Sequence, residues 1–263
     1  MLIFRYDNTF EGVLSGVFDA FSLKKWPQQI VAEQDVLPML TSDIHQVETT
    51  EEKYRRVRQA MQSRLSKIVL NQLTYVWFSE LPERATLIFN YLIKVFKTTQ
   101  NISSNYADHD ILAIKKLAKK VSHERHYLMM FVRFNAIDNQ GDKVYFATVD
   151  PRYNSLPLTI DFFADRFADQ KWAIFDTKRQ YGYFYDLKQT EIIHLNQDDN
   201  LVINGGINVQ LLSEDEQQFQ KMWRRYCQAI TIKERINPKL QRQFMPTRFW
   251  KHLPETWQEE NAT

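Results

Sequence analysis

The chain has 263 residues and a formal net charge of +2. That length allows one large domain or two small ones with a sizeable core. Hydrophobic content of 44% and charged content of 25% are those of an ordinary globular protein, and only 6 glycines argue against Gly-rich phosphate loops. Cys227, the single cysteine, excludes an internal disulfide and a cysteine-held zinc or iron–sulfur centre, so no cofactor is expected.

In chain order, "LIFRYD" at 2–7 reads as a short strand. A helix follows, with Phe10, Val13, Leu14, Val17, Phe18 and Phe21 at helical spacing and Thr9 as its N-cap. The start has no basic stretch followed by a long apolar run, so no secretory leader is expected. Residues 26–50 read as an irregular connection with room for one strand. A long helix is predicted over 51–79, with Tyr54, Val57, Met61, Leu65, Ile68, Val69, Leu73 and Val76 forming its stripe. Helices are also predicted over 83–97 and 108–126.

The pattern then turns to strands. "YLMMFVRFNAI" and "KVYFATVD" flank the turn "DNQGD", and "KWAIFD" and "YGYFYD" flank "TKRQ". A short helix is predicted at 157–168, and Gly182 marks a bulge or a close backbone approach. "TEIIHL" and "NLVING" add short strands. Residues 213–230 form the clearest helix: Ser213 and Glu216 make a capping box, and Phe219, Met222, Trp223, Tyr226 and Ile230 are its predicted inner stripe. Asn237 before Pro238 starts a last helix.

These elements predict a single α+β domain over 1–263. Its helical part would be 1–125, its antiparallel sheet 126–210 and its basic helical segment 211–255. The longest apolar runs are far short of a membrane span, so no membrane partner is expected and the setting is read as cytoplasmic.

Charge is unevenly distributed. Residues 221–251 hold nine Lys or Arg and only one acid, Glu234. A second basic run, 53–67, has six cations and no acid. Within "NPKLQRQFMPTRFWKHLPE" at 237–255, Lys239, Arg242, Arg248 and Lys251 alternate with aromatic rings, a pattern suited to phosphates and unstacked bases. The same pattern also describes a terminal segment docked by its apolar residues. Arg224, Arg225, Arg179 and Arg133 join this nucleic-acid-binding set.

Three other clusters carry possible chemistry. In "SHERHY", His123, Glu124 and His126 lack the i, i+4 histidine spacing of a zinc helix, so no metal is assigned and a Glu–His pair is favoured. Asp161, Asp165 and Asp169 would form an acidic ridge on a helix, read as a solvated face. Asp176, Lys178 and Arg179 lie at a hairpin tip beside alternating Tyr181, Tyr183 and Tyr185, a face equally suited to base stacking or to half-buried packing. No Walker loop, dinucleotide fingerprint or nucleophile elbow is present.

Four stretches together resemble an uncharacterised bacterial family linked to DNA metabolism and repair. They are "YDNTFEGVLSGVFDAF", "ERHYLMMFVRF", "LPLTIDFFADRFADQKWAIFDTKRQYGYFYD" and "NPKLQRQFMPTRFWKHLPE". The resemblance implies a companion role beside a radical-S-adenosylmethionine protein of DNA modification or repair, and an association with uracil-DNA glycosylase-like domains. It places Glu124, His126, Arg133, Arg166, Trp172, Asp176, Arg179, Arg242 and Arg248 on motif positions. Phe162 departs from the pattern, which often has His there, and this weakens any mechanism needing that imidazole.

Three functions follow as expectations: a DNA-binding accessory protein, a nucleobase- or nucleotide-processing enzyme using Glu124, His126, Asp176 and Arg179, or a protein-interaction module.

Overall fold

The computed structural model describes residues 1–39, 41–139, 142–195, 201–203 and 206–256. Its contacts group the chain into two compact units, Met1–His123 and Glu124–Thr263. The α+β expectation holds.

The first unit contains a parallel sheet that the sequence pattern concealed. β1 (Leu2–Tyr6) lies between β2 (Gln29–Ala32) and β3 (Asp43–Gln46), paired in parallel with both. The span 26–50 therefore holds two strands rather than at most one. These strands are only four residues long, too short to show a period. β1 buries Ile3, Phe4 and Tyr6 and leads directly into α1 (Phe10–Leu23), where Thr9 Oγ1 accepts from Gly12 N at 2.8 Å. α1 buries Val13, Leu14 and Val17.

The predicted long helix is two helices, α2 (Glu51–Arg64) and α3 (Lys67–Trp77). Leu65 turns extended, with φ −108° and ψ 140°, and Ser66 caps α3 by accepting from Val69 N at 3.4 Å. A serine that can cap competes with one that continues a helix. The break rotates the stripe, so Leu65 stays buried while Ile68, predicted inward, is 71% exposed. α4 (Arg84–Lys97) buries Ile88, Phe89, Leu92 and Val95. Its Lys94 Nζ lies 2.7 Å from Asp108 and 2.8 Å from Asp110.

α5 (His109–Phe131) carries the boundary between the units. It continues five residues beyond its predicted end, so "YLMMF" is helical and not strand. The second unit is built on a five-stranded sheet in the order β4 (Asn135–Asn139), β5 (Asp142–Val149), β6 (Trp172–Asp176), β7 (Tyr181–Tyr185) and β8 (Thr190–Ile193). Every neighbouring pair is antiparallel except β5 and β6, which are parallel.

That single parallel step forces a crossover over 150–171, which includes α6 (Ile160–Arg166). β6 is buried at all five positions. One core cluster of this unit contains Leu128, Ala147, Val149, Leu156, Phe163, Trp172 and Ile174, with Phe249 and Leu253 from the 237–255 stretch. A separate cluster gathers Ile137, Phe146, Ala173 and Phe175. At Gly182 a Cβ would lie 2.4 Å from Ile174 O and 2.9 Å from Phe175 Cα. Of its two predicted roles, close backbone approach is the one observed.

α7 (Glu214–Ile230) and α8 (Pro238–Phe244) follow. The capping box is half formed. Ser213 Oγ accepts from Glu216 N at 3.2 Å, but the Glu216 carboxylate accepts from Ala136 N at 3.1 Å. Ser213 N donates to Ala136 O at 3.2 Å and Gln220 Nε2 donates to Asn135 Oδ1 at 2.7 Å. The start of α7 thus covers the free edge of β4 with polar groups. Most of the predicted inner stripe is consequently on the outside: Phe219, Met222, Tyr226 and Ile230 are exposed and Trp223 is half-buried, whereas Gln220 is buried. Among the described residues no helix is long and apolar enough to cross a membrane.

Candidate functional site

The second unit gathers charged groups around the loop that leaves β5, residues 150–155. Asp176 ends β6 and is 0% exposed. Its Oδ1 accepts from Lys178 N at 2.9 Å and from Arg179 N at 3.1 Å, and its Oδ2 accepts from Arg179 Nη1 at 2.9 Å. Arg179 Nη1 also donates to Pro151 O at 3.0 Å. Burial pushes the Asp176 carboxyl above the usual carboxylate range, although Arg179 beside it acts in the opposite sense.

Glu124, on α5, holds the same loop and is 3% exposed. Its Oε1 accepts from Arg152 N at 2.8 Å, and its Oε2 pairs with Arg248. The Arg248 guanidinium lies 4.7 Å from the Phe249 ring centre and 5.8 Å from that of Tyr127. Asp150 takes Lys251 Nζ at 2.7 Å and His252 Nε2 at 3.0 Å. His252 Nδ1 lies 3.1 Å from Thr148 Oγ1. Burial acts to raise Asp150, but hydrogen bonds from His252 and Lys251 and the Lys251 charge outweigh it, holding the carboxyl below its usual value.

Glu124, Asp176 and Arg179 therefore do meet, on one loop. Glu124 accepts from Arg152 N and Arg248, whereas Asp176 accepts from its own 177–180 turn and from Arg179, which in turn donates to Pro151 O, so both oxygens of each carboxylate are engaged and the arrangement clamps backbone. His126 lies on the exposed side of α5 and does not join them. His123 is also exposed while Glu124 is buried, and no group of His, Cys, Asp or Glu among the described residues is placed to hold a metal. Asp161 and Asp165 are exposed on α6, and Asp169 lies beyond its end.

The tyrosine face is divided. Tyr185 is buried and stacks on Trp172 with ring centres 5.4 Å apart, so it is core and cannot stack a base. Tyr181 donates to Asn154 Oδ1 at 2.5 Å, and burial raises the Tyr183 hydroxyl.

A pocket of about 120 Å³ is lined by Arg133, Asn135, Thr148, Gln220, Lys251 and His252, among others. Sequence reasoning missed this grouping. Its members lie far apart in the chain, and nothing in "WKHLPE" marks His252 as a buried link between two strand-end residues.

The eight cations assigned to nucleic acid fall into two kinds. Arg133 pairs with Glu255 at 2.9 Å, Arg179 with Asp176, Arg248 with Glu124 and Lys251 with Asp150. Arg224, Arg225, Lys239 and Arg242 lie along α7 and α8 and make no ion pair among the described residues. Arg225, Lys239 and Arg242 are exposed, and Arg224 is partly so. Phe219, Tyr226 and Phe244 in the same segment are 60%, 55% and 64% exposed.

The family model for the domain of unknown function DUF4130 matches residues 82–255. The chain belongs to the DUF4130 family. The matched span runs from the start of α4 through the buried clamp and the basic segment, and leaves the parallel sheet outside it. No curated protein and no solved structure matches the chain.

Proposed function

We propose that this DUF4130 chain is a nucleic-acid-binding accessory protein of DNA metabolism, acting through α7 and α8. The reading rests on one observation above others. Arg224, Arg225, Lys239 and Arg242 carry charges that no carboxylate neutralises among the described residues, beside exposed aromatic rings. Phosphate contacts from these four supply affinity, and Phe219, Tyr226 and Phe244 offer faces for unpaired bases. Arg133, Arg179, Arg248 and Lys251, all held by carboxylates, serve the fold in this reading. The family resemblance supports a place beside a radical-S-adenosylmethionine enzyme of DNA modification or repair, and beside uracil-DNA glycosylase-like domains.

The experiment is binding of single- and double-stranded DNA across a salt series, with Arg224, Arg225, Lys239 and Arg242 reversed to Glu. Loss of affinity and a flatter salt dependence support the reading. Unchanged binding by a folded variant ends it.

A second reading has its own observation. Met222, Ile230, Ile232, Ile236 and Leu240 are exposed in the same segment, and aliphatic groups do not stack bases. Several exposed aliphatic side chains in one segment suit a protein partner. Co-purification with the radical enzyme without any DNA affinity favours this interaction-module role. A catalytic role for Glu124, Asp176 and Arg179 has less support, because their hydrogen bonds are already committed to the clamp.

A further inference from the structure

The unit Met1–His123 carries a groove of about 490 Å³ that neither reading uses. Phe18 and Phe21 of α1, Arg56, Val57 and Arg64 of α2, and Phe96 of α4 supply its main walls, and no carboxylate lines it. That volume is within the range of pockets that take a drug-sized molecule.

The groove combines ring faces with positive charge. Phe21 sits 6.1 Å from Phe96 and 5.1 Å from Trp26, centre to centre. The Arg56 guanidinium lies 5.7 Å from the Phe18 ring centre and that of Arg64 lies 5.8 Å from Phe96. Lys97 Nζ stands 3.3 Å over Trp26. Arg64 Nη1 is fixed by Val95 O at 3.2 Å and Thr98 O at 3.3 Å, which pins the group at the mouth. Arg56 makes no ion pair among the described residues and is exposed.

Arg56 also lines a neighbouring depression of about 380 Å³ that includes Glu51 and Glu52, and Arg64 lines another of about 330 Å³. The two arginines are two turns apart on α2, about 12 Å along its axis. An open groove with aromatic walls and two cations spaced along it suits a chain of flat rings joined by anions better than it suits a closed small-molecule site.

We propose that this groove receives bases of a single nucleic-acid strand, with rings against Phe21 and Phe96 and phosphates on Arg56 and Arg64. The proposal deepens the nucleic-acid reading above and uses a surface far in sequence from α7 and α8. It assigns phosphate contact to the basic run 53–67 and base contact to its aromatic neighbours.

The test measures affinity of the full chain for a labelled single-stranded oligonucleotide and for an abasic strand of equal length. Proteins compared are the wild type, Phe21→Ser, Arg56→Gln, and the α7–α8 charge-reversal variant. Arg56 is exposed and Phe21 lies at the groove surface, and circular dichroism with a thermal melt checks that both variants are folded before binding is compared. The wild type is expected to favour the base-bearing strand by about tenfold or more, as loss of base stacking requires. Phe21→Ser lowers that ratio toward one, and Arg56→Gln weakens both strands.

The α7–α8 variant retains the ratio while its salt dependence flattens. If its salt dependence does not change but the ratio persists in it, the α7–α8 reading falls and the groove stands. A wild-type ratio near one, or a ratio indifferent to Phe21→Ser, overturns the groove. So does preferential binding of an acidic aromatic peptide over the strand.

Discussion

Arg248 reaches back across 124 positions to pair with Glu124, a carboxylate almost wholly withdrawn from water. The pair ties the basic terminal stretch to α5, and Arg152 N shares the same carboxylate. Glu124→Ala is therefore expected to destabilise the fold by about 1–3 kcal/mol, since it leaves the part-buried Arg152 N–H without its acceptor and removes the partner of Arg248. Glu124→Gln, which keeps an acceptor for Arg152, should cost less. Urea denaturation checks both, and wild-type midpoints for both would show that the clamp contributes nothing.

The two kinds of cation should separate in a salt series. Each phosphate contact on a single strand contributes a slope of about 0.7 in log affinity against log salt. Reversing Arg224, Arg225, Lys239 and Arg242 should flatten the slope by about 2–3. Reversing Arg133 should lower stability and leave the slope of the remaining folded protein alone. Equal slope changes from both variants would contradict the division.

On α7, the polar side holds and the apolar side does not. Phe219→Ser and Tyr226→Ser should change stability by no more than about 0.5 kcal/mol, because both rings stand in solvent. Gln220→Ala removes the amide that Asn135 accepts from and should cost about 1–3 kcal/mol. Thermal melts of the three variants test the order.

Two carboxylates give opposite pH trends. The folded value of Asp150 is lowered, so its contribution is present above the ordinary carboxylate range and lost as pH falls through that lowered value. Asp150→Asn should accordingly flatten the acid limb of the stability profile. Asp176 is raised by burial, so its contribution is present at low pH and lost as pH rises through its folded value. An Asp150→Asn acid limb as steep as that of the wild type would show that the Lys251 and His252 contacts carry no weight in solution.

Gly182 faces Phe175 across the β6–β7 pair. Gly182→Ala should destabilise by about 1–3 kcal/mol, because its Cβ would press on strand backbone and not on a movable side-chain tip. An unchanged melting temperature would mean that β6 and β7 part more easily than the packing suggests.

Elements with a strong local signal are legible in the sequence. Thr9 and Asn237 cap the helices they were expected to cap, the hairpin around "TKRQ" forms, and Gly182 marks a close approach. Illegible features depended on partners distant in the chain. β2 and β3 are strands because β1 pairs with them, and four residues carry no period of their own. α7 shows its apolar stripe to solvent because Glu216 and Gln220 find the edge of β4, which hydrophobicity alone could not foretell. The charge excess at 221–251 is plain in the sequence, but which of its cations are engaged depends on Glu124 and Asp150, both far outside that window.

β1 precedes both of its neighbours in the chain yet lies between them. During synthesis its first partner, ending at Ala32, is complete well before its second, ending at Gln46, so one side of this strand stays unmated after the other has paired. Trimming it would remove the sheet's middle and not its margin, leaving β2 and β3 with nothing to join them.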